Sequence, residues 1–220
     1  MEEFSAFDII GPRMIGPSSS HTAGAARLAD VARKIAGQEI TAARLTLYGS
    51  FADTGRGHGT DKALIAGVLG MMPDDERLSR APEIAREKGI DIKVIFSTDE
   101  VERPNTARIE LTCADGGTVE VVGASVGGGN ILITEIDGLA VELTGEYPTL
   151  LVRHHDVPGV IMEVTRILAG NSINVAFMQV FRHSRGEDAY MVIETDQKVS
   201  SEIQEDILRL CPDIRQVRVV

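Results

Sequence analysis

The sequence predicts a mixed α/β (α+β) fold made of two domains, residues 1–146 and 148–220. Three patterns lead to this prediction. Apolar residues recur at helical spacing early in the chain, segments of alternating polarity follow, and the last third has the order strand, helix, strand, strand, helix, strand. With 43% hydrophobic and 25% charged residues, the chain has the composition of a folded globular protein rather than a disordered one.

The first domain begins with a helix that follows a serine-rich stretch. Residues 25–36 place apolar side chains at helical spacing, and Gly37 supplies a stop. Residues 43–49 predict a strand, and the glycine-rich segment 50–61 (SFADTGRGHGTD) predicts a loop. Two further helices are expected, one ended by a proline and one by a glycine, at residues 62–72 and 78–88.

Four strands complete the first domain. Their residues alternate in polarity with a period of two, which is the pattern of a half-buried strand. Short runs of Pro, Asn, Asp and Gly separate them, as expected of turns. The four segments are residues 90–97, 106–113, 117–126 and 131–138.

A change in composition at residues 143–148 (LTGEYP) predicts the linker to the second domain. Beyond the linker, strands are expected at 149–154, 173–182, 189–195 and 214–219. Helices are expected at 158–169 and 200–210. This order is the βαββαβ plan of ferredoxin-like domains.

The charge and the cysteines exclude several classes of protein. A net charge of −11 argues against a nucleic-acid partner, because phosphate contacts need a dense basic face. Cys113 and Cys211 are too few to hold an iron–sulfur cluster, and we expect two buried thiols in a cytoplasmic protein. No apolar run approaches the roughly 18 residues that span a membrane, and residues 1–10 lack the apolar core of a signal peptide.

The stretch IGPSSSHTAG at residues 15–24 is the first candidate site. One of Ser18, Ser19 and Ser20 can cap the helix that begins near His21. Together with Thr22 and the free amides of the helix start, the remaining hydroxyls form a cup that suits a carboxylate. A simple helix cap is the alternative. A nucleophilic serine is disfavoured because the GxSxG pattern is absent.

The glycine-rich segment after the first strand contains the second candidate, His58. Neither GxGxxG nor the phosphate-binding loop pattern is present in register. Glycines at positions 55, 57 and 59 instead bracket His58 and expose it to whatever approaches. Histidine is the natural general acid or base near neutral pH, and His21 could be its partner. An ordinary surface histidine is the alternative.

Two further stretches are weaker candidates. Gly127, Gly128 and Gly129 permit left-handed backbone and close ligand approach beside Asn130, although a hairpin turn would explain them equally well. In the second domain, HHDVPGV joins the first strand to the first helix, where Asp156 can cap the helix.

The segment 148–220 resembles an ACT domain, the small regulatory module that often senses amino acids, on the strength of DVPGV and the element order. The resemblance implies a ligand site near Asp156, Gly159 and Asn174, at the interface of paired domains. The alternative is a ferredoxin-like domain that only dimerises.

Taken in order, IGPSSSHTAG, GSFADTGRGHGTD, SVGGGN and an ACT domain resemble the beta-chain family of bacterial iron–sulfur-dependent L-serine dehydratases. The resemblance implies an N-terminal domain like the allosteric substrate-binding domain of some phosphoglycerate dehydrogenases. It also implies conversion of L-serine to pyruvate and ammonia without PLP. A separate alpha chain would carry the 4Fe-4S cluster, whose iron would act on the serine hydroxyl as a Lewis acid. This chain would then hold no metal and would be inactive alone.

The same resemblance implies roles for individual residues. His58 would be the base near the substrate, and His21 would belong to the shared active-site loop. The substrate contacts would be Ser18, Ser19, Ser20, Thr22, Gly57 and Asn130. Beyond the alpha chain and L-serine, we expect self-association through the ACT or the N-terminal domain, and no membrane partner.

Two other functions remain open at this point. A non-catalytic amino-acid-sensing ACT protein would fit the second domain, but a pure sensor has no need of His21 and His58 in unusual loops. A metal-dependent hydrolase using those two histidines would lack HExxH or any tight ligand cluster.

Overall fold

The computed structural model describes residues 13–220 in two units, which divide between Asp137 and Gly138. The expectation about a signal peptide falls on residues 1–10 and lies outside the described residues. Within residues 13–220, no helix is long and apolar enough to cross a membrane.

From residue 13 onward, the first unit contains four α-helices, two shorter helical turns and five strands. The helices are α1 (Ala25–Ala36), α2 (Ser50–His58), α3 (Thr60–Val68) and α4 (Ala81–Glu87). A π-helical turn, Ser19–Gly24, leads into α1, and a 3₁₀ turn, Glu76–Arg80, precedes α4. The strands are β1 (Ile40–Leu47), β2 (Asp91–Phe96), β3 (Thr106–Cys113), β4 (Thr118–Gly127) and β5 (Asn130–Ile136).

The strands of this unit follow the order β2-β1-β3-β4-β5. Strands β1 and β2 are parallel, and the other neighbours are antiparallel. Helix α1 packs on β3 and β4 through a stripe of buried alanines together with Leu28, Val31 and Ile35, and α3 lies against α1. The two helices approach closely at Gly67, where a Cβ atom would lie 2.2 Å from the Ala26 carbonyl oxygen. Helix α1 ends as predicted at Gly37, which is left-handed with φ 61°.

The prediction of a loop at residues 50–61 is wrong, because most of this segment is helix α2. Its glycines, aspartate and threonine are poor helix formers, which is why the sequence favours a loop. Burial overrides that preference, since Phe51 is fully buried and a Cβ at Gly55 would lie only 3.2 Å from the Thr60 Cβ. Gly49 and Gly59, with φ of 51° and 72°, bound the helix. His58 is therefore the last residue of a helix.

Residues 78–88 also differ from the prediction of one polar helix. A 3₁₀ turn and α4 replace it, and Pro82 stands in the first turn of α4. Proline lacks the N–H that a continuing helix would need, so the segment divides just before it.

The second unit contains two helices and five strands, one of which the sequence did not predict. The elements are β6 (Leu139–Leu143), β7 (Thr149–His155), α5 (Val160–Gly170), β8 (Val175–Arg182), β9 (Asp188–Thr195), α6 (Ser201–Leu210) and β10 (Ile214–Val219). Strands β7 to β10 form an antiparallel sheet in the order β10-β7-β9-β8. The elements from β7 onward confirm the predicted βαββαβ order, and the two sheets with their helices confirm the mixed α/β class.

One face of the second sheet carries the core of this unit. Leu150, Val152, Met191 and Ile193 point from β7 and β9 toward Val164 and its neighbours on α5 and α6. Helix α6 is capped by Ser200, whose Oγ accepts the Ile203 N–H at 3.4 Å.

Candidate active site

The serine-rich stretch forms a capped π-helical turn. Ser18 is the cap: its hydroxyl oxygen accepts the His21 N–H at 3.2 Å, and its carbonyl accepts the Thr22 N–H at 2.8 Å. These bonds confirm that a serine caps this helix start. Ser19 and Ser20 occupy the first positions of the turn and are half-buried.

The turn is pressed against β4 and against the residues that precede it. A Cβ at Gly24 would lie 2.3 Å from Ser125 Oγ, and a Cβ at Gly16 would lie 2.3 Å from Thr22 Oγ1. Thr22 is only 1% exposed, and within the described chain its hydroxyl has no hydrogen-bond partner. The contact of Thr22 with substrate stays a prediction, and its side chain is buried in this structure.

His21 projects from this turn toward helix α2. Its Nε2 lies 3.0 Å from Thr54 Oγ1 and 3.4 Å from both oxygens of Ser50, while its Nδ1 lies 3.4 Å from Ser18 Oγ. The edge of the ring meets Phe51 at a centroid distance of 5.2 Å. Burial lowers the pKa of His21, the Ser50 carbonyl opposes that shift, and the neighbouring His58 adds to it. The surroundings of His21 therefore favour its neutral form over the charged one.

His58 lies beside His21 but faces solvent. The two ring centroids are 4.8 Å apart, with the rings tilted by 36°. His58 Nδ1 is 3.1 Å from the carbonyl oxygen of Thr54, one helical turn earlier. A carbonyl can only accept, so this contact places the proton of neutral His58 on Nδ1 and leaves the lone pair on Nε2. An exposed imidazole with a free Nε2 can take a proton from a substrate.

The structure thus brings together Ser18, His21 and His58, which lie up to 40 residues apart in sequence. Sequence reasoning missed Ser50 and Thr54, which join them. The spacing Ser50–Thr54–His58 is i, i+4, i+8 and would have pointed to one helix face had the segment been recognised as a helix.

The glycine cluster forms the hairpin between β4 and β5. Gly127, Gly128 and Gly129 all have positive φ, at 106°, 62° and 87°. Arg27 Nη1 donates to the Gly129 carbonyl at 2.9 Å, which ties the hairpin to α1. Asn130 is the exposed first residue of β5, and its role toward substrate stays a prediction.

Gly57 is also exposed, one residue before His58. Apart from the adjoining residues and the backbone of its own helix, no atom of the described chain lies within 4 Å of the position that a Cβ would take there, so the surface at Gly57 is open.

The residues predicted for an ACT ligand lie in the second unit and already have protein partners. The Asp156 carboxylate accepts from Arg182 Nη1 at 2.6 Å and from the Gly186 N–H at 3.2 Å, and the Arg182 guanidinium lowers the pKa of Asp156. Its predicted role as a helix cap is wrong, because α5 begins after Gly159, at φ 100°, with no side-chain cap. Asn174 Nδ2 donates to Asp196 Oδ2 at 2.7 Å. Ligand binding at these residues stays a prediction.

Residues 13–220 offer no place for a metal cluster. No group of three or more His, Cys, Asp or Glu side chains in this range is arranged to hold a metal ion. Cys113 and Cys211 are both buried and belong to different units. The donor set of the described chain therefore does not fit a 4Fe-4S cluster, which takes about four thiolates.

Comparison with known families matches both parts of the chain. Residues 5–135 match the family model of the serine dehydratase beta chain, and residues 148–212 match the ACT domain. The chain is 47% identical over 217 residues to a probable L-serine dehydratase beta chain of Bacillus subtilis (strain 168), which covers 99% of this chain and 98% of that protein. It is 37% identical to an L-serine dehydratase beta chain of Peptoniphilus asaccharolyticus, over 94% of each chain.

A more distant likeness concerns another class of enzyme. The chain is 31% identical over 163 residues to a D-3-phosphoglycerate dehydrogenase of Bacillus subtilis (strain 168), covering 72% of this chain but 30% of that protein. The two beta-chain matches extend over nearly all of both partners. The chain therefore belongs to the serine dehydratase beta-chain family and carries an ACT domain after the family domain.

Proposed function

We propose that this chain is the beta subunit of an enzyme that converts L-serine to pyruvate and ammonia together with a separate alpha chain. The observation that supports this most directly is the exposed His58, whose ring lies 4.8 Å from that of the buried His21 beside a capped serine turn. The names of two proteins that match nearly the whole chain, both beta chains, support the existence of a second chain.

The reaction needs a base at the α-carbon of serine. Removal of the Cα proton and loss of the Cβ hydroxyl as water give aminoacrylate, and addition of water to its imine form releases ammonia and leaves pyruvate. His58 is suited to the first step, because its Nε2 lone pair faces outward while Nδ1 is engaged with Thr54.

The serine turn is suited to the substrate carboxylate. The start of a helical turn has amides and hydroxyls directed outward, and these favour an anion. Ser18 is used as the cap, so the hydroxyls of Ser19 and Ser20 are the ones that remain for substrate.

The 4Fe-4S cluster is assigned to the alpha chain in this proposal. The described residues of the beta chain lack a ligand set for it. This chain's own side chains supply the base and the contacts to the substrate carboxylate.

Anaerobic co-expression with an alpha chain and a serine-to-pyruvate assay test the function. His58→Ala should leave the two chains assembled and reduce kcat on the order of 100-fold or more, since a general base has been removed. His183→Ala is a matched control, because His183 is also exposed and also bonds a carbonyl, that of Gly138 at 2.7 Å.

The control should retain kcat within about 2-fold, the size expected of one surface contact. If His58→Ala turned over serine at the rate of the control, the base assignment would be wrong. If the assembled wild-type enzyme failed to release pyruvate, the amino-acid-sensing alternative would replace the proposed function.

A further inference from the structure

Thr54 lies between the two histidines and contacts both of them. Its hydroxyl is 3.0 Å from His21 Nε2 and 2.9 Å from the Ser50 carbonyl oxygen. Its own carbonyl oxygen is 3.1 Å from His58 Nδ1. One residue in the middle of helix α2 therefore has a separate hydrogen-bonding group directed at each imidazole.

The hydrogen bonds around His21 can be assigned from what each group is able to donate. The Thr54 hydroxyl has a single hydrogen, and the Ser50 carbonyl can only accept. The Ser50 carbonyl also lies 3.4 Å from His21 Nε2, so the Thr54 hydroxyl and Nε2 both act as donors toward it, and the lone pairs of Thr54 Oγ1 face His21. His21 must then donate, which places its proton on Nε2.

Ser18 completes this arrangement from the other side of the ring. Ser18 Oγ accepts the His21 N–H at 3.2 Å, so its own hydrogen is available to His21 Nδ1 at 3.4 Å. Nδ1 of His21 is thus the nitrogen with the lone pair. In the opposite tautomer, Nδ1–H and the backbone N–H would both be directed at the same serine oxygen.

We propose that Thr54 is a positioning residue that holds the two adjacent histidines in opposite tautomers. Its hydroxyl fixes His21 as the Nε2–H form, and its carbonyl fixes His58 as the Nδ1–H form. The two rings then differ in what they can do. His21 has both nitrogens engaged by protein, and only His58 has a lone pair, at Nε2, that is free for a substrate proton.

The tautomers can be measured on the full chain without any partner. Long-range ¹H–¹⁵N correlation spectra separate protonated from unprotonated ring nitrogens, and the five histidines can be assigned with single His→Gln variants. At a pH above the ordinary histidine range, we expect His21 to be protonated on Nε2 and His58 on Nδ1.

Thr54→Val and Thr54→Ser separate the hydroxyl from the carbonyl. Valine keeps the shape and the backbone carbonyl but loses the hydroxyl, so the His21 signals should shift toward a mixture of tautomers while those of His58 stay unchanged. Serine restores the hydroxyl and should restore the wild-type spectrum.

Thr165→Val is the matched control. Thr165 is a half-buried helical threonine in the second unit, and its hydroxyl bonds the Ile161 carbonyl four residues earlier at 2.9 Å, as Thr54 bonds Ser50. Its replacement removes the same type of bond and should leave the signals of both His21 and His58 unchanged.

The role of Thr54 in turnover rests on the proposed function and needs the two-chain enzyme. There, Thr54→Val should lower kcat on the order of 10-fold with little change in KM, Thr54→Ser should recover it to within about 2-fold, and Thr165→Val should behave as wild type.

Two results would overturn the role of Thr54: His21 protonated on Nδ1 in the wild-type spectrum, or a Thr54→Val variant with unchanged His21 signals and unchanged kcat. An enzyme without serine turnover would refute the proposed function alone, because the tautomers are read from the isolated chain.

Discussion

The close approach of the serine turn to strand β4 can be tested by adding one methyl group. Gly24 has helical backbone angles, φ −61° and ψ −44°, so Gly24→Ala introduces no backbone strain of its own. The new Cβ would lie 2.3 Å from Ser125 Oγ and 2.7 Å from Ser125 Cβ. Both distances are shorter than real side chains adopt, so either the turn or the strand must move.

The size of the effect follows from two opposing contributions. Overpacking a buried site costs up to about 3 kcal/mol, and the upper end applies here because Ser125 is buried in a paired strand. Replacing glycine by alanine in a helical conformation stabilises by about 1 kcal/mol. We therefore expect Gly24→Ala to lower the free energy of unfolding by about 2 kcal/mol, which corresponds to a Tm about 4–8 °C lower for a chain of this size.

Ser125→Gly should relieve the clash. Apart from the Ser125 side chain, the nearest atom to the added Cβ is Ser125 Cα at 3.7 Å, which is an ordinary contact. A glycine within a strand costs roughly 0.5–1 kcal/mol, about what the helical alanine contributes. The double variant should thus unfold within about 1 kcal/mol of wild type.

Thermal unfolding of the four chains, followed by far-UV circular dichroism, gives the complete double-mutant cycle. The expected coupling between the two positions is about 2–3 kcal/mol. Gly24→Ala with wild-type stability would show that the turn is not pressed against β4. A double variant as unstable as Gly24→Ala would show that the damage comes from some contact other than Ser125.

Two more predictions concern His21 and the partner chain. Burial lowers the pKa of His21 below 6.5, so the unfolded chain binds a proton at this imidazole more tightly than the folded chain does. The contribution of His21 to stability is therefore present above pH 6.5 and is lost as the pH falls toward the pKa of the folded state. His21→Gln should show a shallower loss of Tm below pH 6.5 than wild type does, and equal slopes would refute the shift. The chain purified alone should lack the visible absorption of an iron–sulfur cluster and any serine turnover, and a visible band in the pure chain would contradict the assignment of the cluster to the partner.

Most of the fold could be predicted from local patterns. Strand β3 and the end of helix α1 agree with the prediction to the residue, because strict alternation and a Gly37 stop leave little freedom. The unpredicted β6 is only five residues long and lies between a two-residue turn and the composition change that suggested a linker.

Helix α2 could not be predicted because its stability is not local. A segment with two interior glycines has weak helix propensity, and the burial of Phe51 that compensates for it is visible only in the folded chain. That same helix places His58 next to His21. Both histidines could therefore be predicted as site residues from the sequence, but their ring contact and the hydrogen bonds that Thr54 makes to them could not.

The π-helical turn before α1 affects how this site can be lost in evolution. A π-helical turn carries one residue more than an α-helical turn does, so Ser19–Gly24 amounts to a one-residue insertion at the start of a regular helix. Successive residues of an α-helix are separated by about 100° around the axis, so deleting one residue from the turn would rotate Ser18 and His21 away from α2 while the apolar stripe of α1 stayed in place. A point substitution keeps the extra residue of the π-helical turn. Deletion of a single codon would remove it, leaving a regular helix in which Ser18 and His21 no longer face α2.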